Sequence, residues 1–262
     1  MQTTLDLSAF RWIDSQTSGP DRLALLSIRE VICTVAERYT YLEVGSHLGG
    51  SLQPHVIDSR CVSVLSIDPR PLEQPDERWA DNYRYDGNST QRMLALLSAI
   101  PGADTGKITT FESCSWDVSD ESIPASVDYA FIDGEHTNEA VRRDFSAVRR
   151  FLGPRSVLAF HDSFVTPSAF FKISGLLRRE HPASRFVHYP DSGVVAVTFG
   201  SPELEGALLK HGWKQGLPYS RSIHIRNFKT YVRKHWPRFF SLLARCKAAV
   251  CSARLGAQES KG

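Results

Sequence analysis

The sequence predicts an α/β fold with a doubly wound, mostly parallel sheet, and three observations support this. Apolar runs short enough to be strands alternate with segments of helical period from about residue 21 to 199. Helices set between buried strands imply parallel strands joined by crossovers. Residues 185–189 and 194–199 flank Pro190-Asp191-Ser192-Gly193, a hairpin turn that adds an antiparallel strand at one edge. Finally, the Gly-rich turn Gly45-Ser46-His47-Leu48-Gly49-Gly50-Ser51 sits between a strand-like run and a helix start.

Residues 21–38 place Leu23, Leu25, Leu26, Ile28, Val31, Ile32 and Val35 on one stripe, a helix with Asp21 as its N-cap. Strands are expected over 41–45 and 61–67. The helix between them, over about 50–59, contains Pro54, which is tolerable only near a first turn. Residues 69–88, rich in Pro and Asp, form an irregular loop. A helix over 90–100 stops at Pro101-Gly102, and 107–111 is the third strand. The fourth strand, 127–132, ends at Asp133-Gly134, and Gly153-Pro154 stops a helix over 138–151. The fifth strand, 156–160, ends at His161-Asp162, and 167–180 is helical.

With 262 residues, the chain is long enough for one large domain and a tail. We expect an N-terminal helical segment over 1–39, a central domain over 40–200 and a C-terminal extension over 201–262. The net charge of +2 is unevenly spread. From Arg221 onward ten basic residues face one acid, a tail of +9 that leaves −7 for residues 1–220. The five cysteines are scattered without a CxxC pair, as expected of reduced thiols in a cytoplasmic protein. The N-terminal stretch lacks the basic and apolar regions of a signal peptide, and no window approaches the ~18 apolar residues of a spanning helix.

Function is concentrated at the strand ends. Glu43 closes the first strand before the glycine turn, and Asp68 closes the second. Glycines where a strand turns into a helix let backbone approach a ligand, and a carboxylate ending the next strand is placed to accept from ribose hydroxyls. The spacing, Glu43-x-Gly45-x-x-x-Gly49-Gly50, puts His47 and Leu48 where a dinucleotide fingerprint needs its second glycine. A nucleoside without pyrophosphate suits it better than NAD.

This pattern resembles the first motif of class I S-adenosylmethionine-dependent methyltransferases. Phe131-Ile132-Asp133-Gly134-Glu135-His136, then Asp144 in the following helix, then Ala159-Phe160-His161-Asp162-Ser163, resemble the branch of macrocin-type O-methyltransferases. The likeness runs over about 40–200. It implies a Rossmann-like, seven-stranded sheet and S-adenosylmethionine as cofactor. The cofactor would be held by Glu43, Gly45, Ser46, Gly49, Gly50, Ser51 and Asp68, with Ser115 and Trp116 near the adenine. Two departures are Gly153-Pro154-Arg155, where the family usually has Pro-Gly-Gly, and Cys114, where many relatives have an acid.

Gly45, Asp68, Asp133 and His161 all end strands and so fall on one rim, where open α/β sheets bind ligands. Two mechanisms stay open for the catalytic candidates Asp133, His136 and His161. Mg²⁺ or Mn²⁺ held by Asp133, His161 and Asp162 would lower the pKa of an acceptor hydroxyl. Alternatively, His161 or His136 acts as general base without metal. The acceptor is expected to be a small molecule, sugar-containing or lipid-linked, shaped by residues 69–90 and 163–180. A non-catalytic nucleoside-binding protein is the rival from another class, and it would not need Asp133 or His161.

In the tail, Phe228, Tyr231, Val232, Trp236, Phe239, Phe240, Leu243 and Val250 alternate with Arg and Lys at roughly helical spacing. A basic amphipathic helix suits a membrane surface or a partner, and equally an apolar face packed on the acidic body. Nucleic acid is least favoured, given the body's negative charge. Oligomeric state is not legible in the sequence.

Overall fold

Six consecutive residues, Tyr39–Val44, are buried without interruption, and they form the first strand, β1. A run buried on both faces belongs in the middle of a sheet covered by helices. β1 lies between β2 (Cys61–Ile67) and β4 (Val127–Ile132), parallel to both. β3 (Ile108–Phe111) adds beyond β2, and β5 (Leu152–Phe160) beyond β4, also in parallel. The computed structural model describes residues 5–79, 81–123 and 126–218.

The hairpin forms as expected from β6 (Arg185–His188) and β7 (Val195–Thr198), but its antiparallel strand is not outermost. β7 inserts between β5 and β6, and a two-residue strand, β8 (Lys214–Gln215), pairs antiparallel on the outside. The sheet order is therefore β8-β6-β7-β5-β4-β1-β2-β3, eight strands where seven were expected. The added strand is short and exposed.

The helices are α1 (Gly19–Val35), α2 (Gln53–Val56), α3 (Thr90–Ser98), α4 (Asn138–Val148), α5 (Pro167–Glu180) and α6 (Pro202–Lys210). Alternate residues of β4 show the double winding. Tyr129 and Phe131 join Leu26, Ile28 and Leu208 in one core, while Phe160 of the neighbouring β5 meets Phe170 of α5 edge-on and Phe145 of α4 at a tilt on the other face. Neither α6 nor β8 is legible in the sequence pattern. Residues 1–217 form one unit, and 218–262 the other. The expected basic helical tail falls in that second unit and lies outside the described residues.

Three local expectations need correction. Ser18, not Asp21, caps α1: its side chain accepts from the Asp21 N–H, while Asp21, three residues further in, accepts from the Ser18 N–H. α2 is a single turn because Pro54 has no N–H to extend it backward, and the buried Gln53 amide ties it to backbone at Trp12, Ile13 and Gly50. α4 ends at Val148 and passes through a 3₁₀ turn into β5, which includes Gly153-Pro154 in its exposed first half, where proline is tolerated. The loop over 69–88 also carries a two-stranded ribbon, pairing Glu73–Gln74 with Tyr83–Arg84.

The register levels the strand ends. Val44 pairs with Ile67 and Ile132, and Ile132 with Phe160. Each following residue continues the ladder: Gly45 N–H donates to Ile67, Asp133 to Val44, Asp68 to Phe111 and His161 to Ile132. Between β1 and β4 the strand order reverses, and there the sheet opens a crevice.

Candidate active site

Gly45 has φ +89°, and a Cβ there would overlap the Asp133 carbonyl oxygen and lie 2.6 Å from Gly134 Cα. Only glycine lets the ends of β1 and β4 come this close. The other glycines of the turn serve the fold as well. A Cβ on Gly49 would press on Leu97 and Met93 of α3, and one on Gly50 would meet Ser15 at 2.7 Å. Gly50 thus admits the N-terminal segment of residues 14–16, which walls the site.

Two cavities share Gly45, His47, Tyr85 and Asp133 as walls. The larger, about 610 Å³, is lined mostly by polar groups, among them Ser15, Gln16, Ser46, Ser51, Arg78 and Ser192. The narrower, about 70 Å³, runs past Asp68, Ser115, Trp116 and Asp144 under a roof of Gln74 and Tyr85. A nucleoside needs more room than this, so residues lining it, Gln74 and Tyr85 among them, have to give way when one enters. His47 Nε2, where the two cavities meet, is buried without a hydrogen-bond partner.

Glu43, expected on the cofactor, lines neither cavity. It is fully buried, accepting from the Ser51 hydroxyl at 2.5 Å and the Tyr41 hydroxyl at 2.6 Å. Burial pushes its pKa up to about 8. Its place is beneath the glycine turn, which it anchors. Ser46 meets Ser66 at 2.8 Å beside it.

Asp68 does line the narrow cavity, yet its carboxylate already accepts from the N–H groups of His47 and Arg70, each at 2.8 Å. The buried Arg70 guanidinium sits 3.2 Å away and also bonds the His47 carbonyl. At the far end Ser115 donates to Asp144 at 2.6 Å, and burial raises that carboxyl to about 7. Arg143 stacks on Trp116 at 3.6 Å from the ring centre.

Asp133, His136, His161 and Asp162 converge on the larger cavity. Asp133 Oδ1 lies 3.0 Å from His161 Nδ1 and 3.5 Å from His136 Nε2. Asp162 Oδ2 is 3.3 Å from His136 Nε2 and 3.8 Å from His161 Nδ1. Asp162 reaches this place through a backbone at φ +46°. The outer nitrogens face carboxylates too: His161 Nε2 is 3.3 Å from Asp21, and His136 Nδ1 is 3.0 Å from Asp76. Arg78 bridges Asp76 and Asp162 at 2.6 and 2.9 Å.

Both imidazoles have their pKa raised in this arrangement. Burial lowers the affinity of His136 for its proton, but hydrogen bonds to Asp133 and Asp76 outweigh it and raise the pKa to about 9. His161 is likewise raised, against burial, by Asp133 and Asp21. Asp21, opposed by desolvation, is held down to about 2 by His161 and Ser18. Sequence reasoning missed Asp21, Asp76 and Arg78. Ser18-x-x-Asp21 looks like a helix start and nothing else, and the Asp76 region carries no periodic signal.

The comparisons agree with this geometry. Residues 42–163 match the model of a methyltransferase domain family. An uncharacterized protein of Acanthamoeba polyphaga mimivirus is 23% identical over 126 residues, 47% of this chain and 51% of that protein. The chain thus spans about half the length of that relative. Among solved structures, the O-methyltransferase NovP superposes with a TM-score of 0.53 at 13% identity, over 69% of this chain and 80% of that one. The calicheamicin methyltransferase CalS11 does so at 0.50 and 13%, over 69% and 79%. The fold is the Rossmann-like one of these methyltransferases, and residues 42–163 are similar to a methyltransferase domain.

Proposed function

We propose that this methyltransferase domain moves a methyl group from S-adenosylmethionine to a hydroxyl of a small, sugar-like acceptor, with a divalent cation at Asp133, His136, His161 and Asp162. The observation that carries the reading is the meeting of those four donors on the larger cavity, where Asp133 is also a wall of the narrower one. Four of their six separations are 3.0–3.8 Å and all lie within 4.8 Å, close enough to converge on one ion with bonds of roughly 2.0–2.2 Å. Two imidazoles and two carboxylates suit Mn²⁺ or a similar borderline ion as well as Mg²⁺. When bound, the ion supplies Lewis acidity that lowers the pKa of an acceptor hydroxyl.

The residues around this point do the remaining work. Asp68, Ser115 and Trp116 line the cofactor side, with Gly45 and the unpaired His47 Nε2 at the junction. Methyl transfer is an in-line displacement, so the rigid meeting of β1 and β4 contributes by fixing the angle between methyl and acceptor. A metal-free histidine base has weaker support. Both ring nitrogens of His161 already face carboxylates, which leaves neither turned toward an acceptor hydroxyl.

A large cavity walled by hydroxyls, amides and carboxylates favours a polyhydroxylated acceptor over an apolar one. A screen of sugar-containing acceptors with radiolabelled methyl donor, with and without EDTA, tests the reading. Turnover lost in chelator and restored by Mn²⁺ or Mg²⁺ is expected. Full turnover after rigorous chelation would remove the cation, and calorimetry showing NADH binding without S-adenosylmethionine binding would remove the cofactor.

For the C-terminal unit, the charge split between tail and body supports attachment to an anionic membrane surface. That would place a cytoplasmic enzyme beside a lipid-linked acceptor.

A further inference from the structure

We infer that Asp21 and Asp76 are positioning residues. Each turns one histidine so that its inner nitrogen faces the common point, and the 69–88 loop completes the site by bringing Asp76 to it. The inference rests on the cation reading above. A ligating histidine is oriented by what its other nitrogen bonds, and a carboxylate there also raises its basicity.

Asp21 is fixed for this task. Its Oδ1 accepts from the Gly193 N–H at 2.8 Å and its Oδ2 from the Ser18 N–H and hydroxyl, leaving the same Oδ2 3.3 Å from His161 Nε2. It reaches the site from the first turn of α1, outside the segment matched to the methyltransferase domain. Asp76 arrives from the opposite wall and is equally constrained. Its Oδ1 accepts from the Arg78 N–H at 2.8 Å while Oδ2 meets His136. Its neighbour Glu77 seats the loop on the turn before α4: the Glu77 N–H donates to the His136 carbonyl, and the Glu77 carboxylate accepts from the Asn138 N–H at 2.8 Å. Lifting the loop therefore removes Asp76 from His136.

The test is Mn²⁺ binding by calorimetry and electron paramagnetic resonance on the full chain, with Asp21→Ala, Asp76→Ala and the corresponding Asn variants. Each Ala variant should bind Mn²⁺ about 10- to 100-fold more weakly. Asn, which keeps an acceptor oxygen, should recover part of that loss, as relief of a packing defect would not. Binding of S-adenosylhomocysteine should stay within about twofold in variants that remain folded. Ser18→Ala removes the helix cap and the hydroxyl bond to Asp21 Oδ2 but keeps the Ser18 N–H bond to it, and should lower the melting temperature while costing far less Mn²⁺ affinity than Asp21→Ala. Wild-type protein that binds no Mn²⁺ overturns the cation reading and this inference with it. Wild type and both Ala variants binding Mn²⁺ equally overturns the inference alone. Ser18→Ala weakening Mn²⁺ as much as Asp21→Ala would assign the effect to the cap and overturn the role of Asp21.

Discussion

Gly45 and Asp133 touch backbone to backbone: a Cβ on the glycine would overlap the Asp133 carbonyl oxygen. This contact joins the narrower cavity to the larger one, on which Asp133, His136, His161 and Asp162 converge. It ties the glycine turn to the chemistry through packing.

Gly45→Ala should therefore damage both halves. Overpacking against backbone costs about 1–3 kcal/mol, and the positive φ adds about 1–2 kcal/mol for any residue with a Cβ. A lower melting temperature together with loss of S-adenosylhomocysteine binding by calorimetry is expected. Unchanged binding would mean that the turn does not shape the cofactor cavity.

Asp68→Ala should weaken cofactor binding by about 1.5–3 kcal/mol for each charge-assisted hydrogen bond it makes to the ligand. It also leaves the buried Arg70 guanidinium without its carboxylate, so the melting temperature should fall as well. Calorimetry and thermal melts on the same samples separate the two effects. A fall in stability with intact cofactor affinity would make Asp68 a partner of Arg70 only.

Cation binding should strengthen as pH rises. His136 has a pKa raised to about 9, so below that pH its proton must leave before Nε2 can ligate. The slope of log affinity for Mn²⁺ against pH should approach +1 per displaced proton and flatten above about 9. Calorimetry in buffers of different ionisation enthalpy counts the protons released. Affinity independent of pH between 6 and 9 would show that the histidines do not ligate.

Glu43→Gln should stabilise the protein more at pH 8 than at pH 5. The native carboxyl holds its proton up to about 8, whereas the unfolded one releases it near 4.5. Between these values the unfolded state binds fewer protons, so native stability is full below about 4.5 and declines as pH rises toward 8. Glutamine removes that decline. Equal differences in denaturation midpoint at the two pH values would mean that Glu43 is ionised in the fold.

Truncation after residue 222 should leave cofactor binding intact and abolish co-sedimentation with anionic liposomes at low salt. Each surface cation contributes roughly 1 kcal/mol to such contact, and at 1 M salt the Debye length of about 3 Å screens it. Both forms remaining in the supernatant, with truncation sharply lowering the melting temperature, would make the tail a packed structural element.

The sequence by itself determined the parts whose signal is local. β2, β4 and α5 occupy the residues that their apolar patterns mark out, and the level strand ends put Gly45, Asp68, Asp133 and His161 on one rim. Burial imposes period and run length on a segment, so strands and helices are legible in the segment itself. What a polar side chain meets carries no such trace. Glu43 reads as a ligand group and is a buried anchor, and Asp21 reads as a helix start and holds His161. Asp76, in a loop without pattern, reaches a histidine 60 residues away. The Asp21 bond to the Gly193 N–H spans 172 residues. Such partners are chosen by how the chain crosses itself, which only the tertiary structure decides.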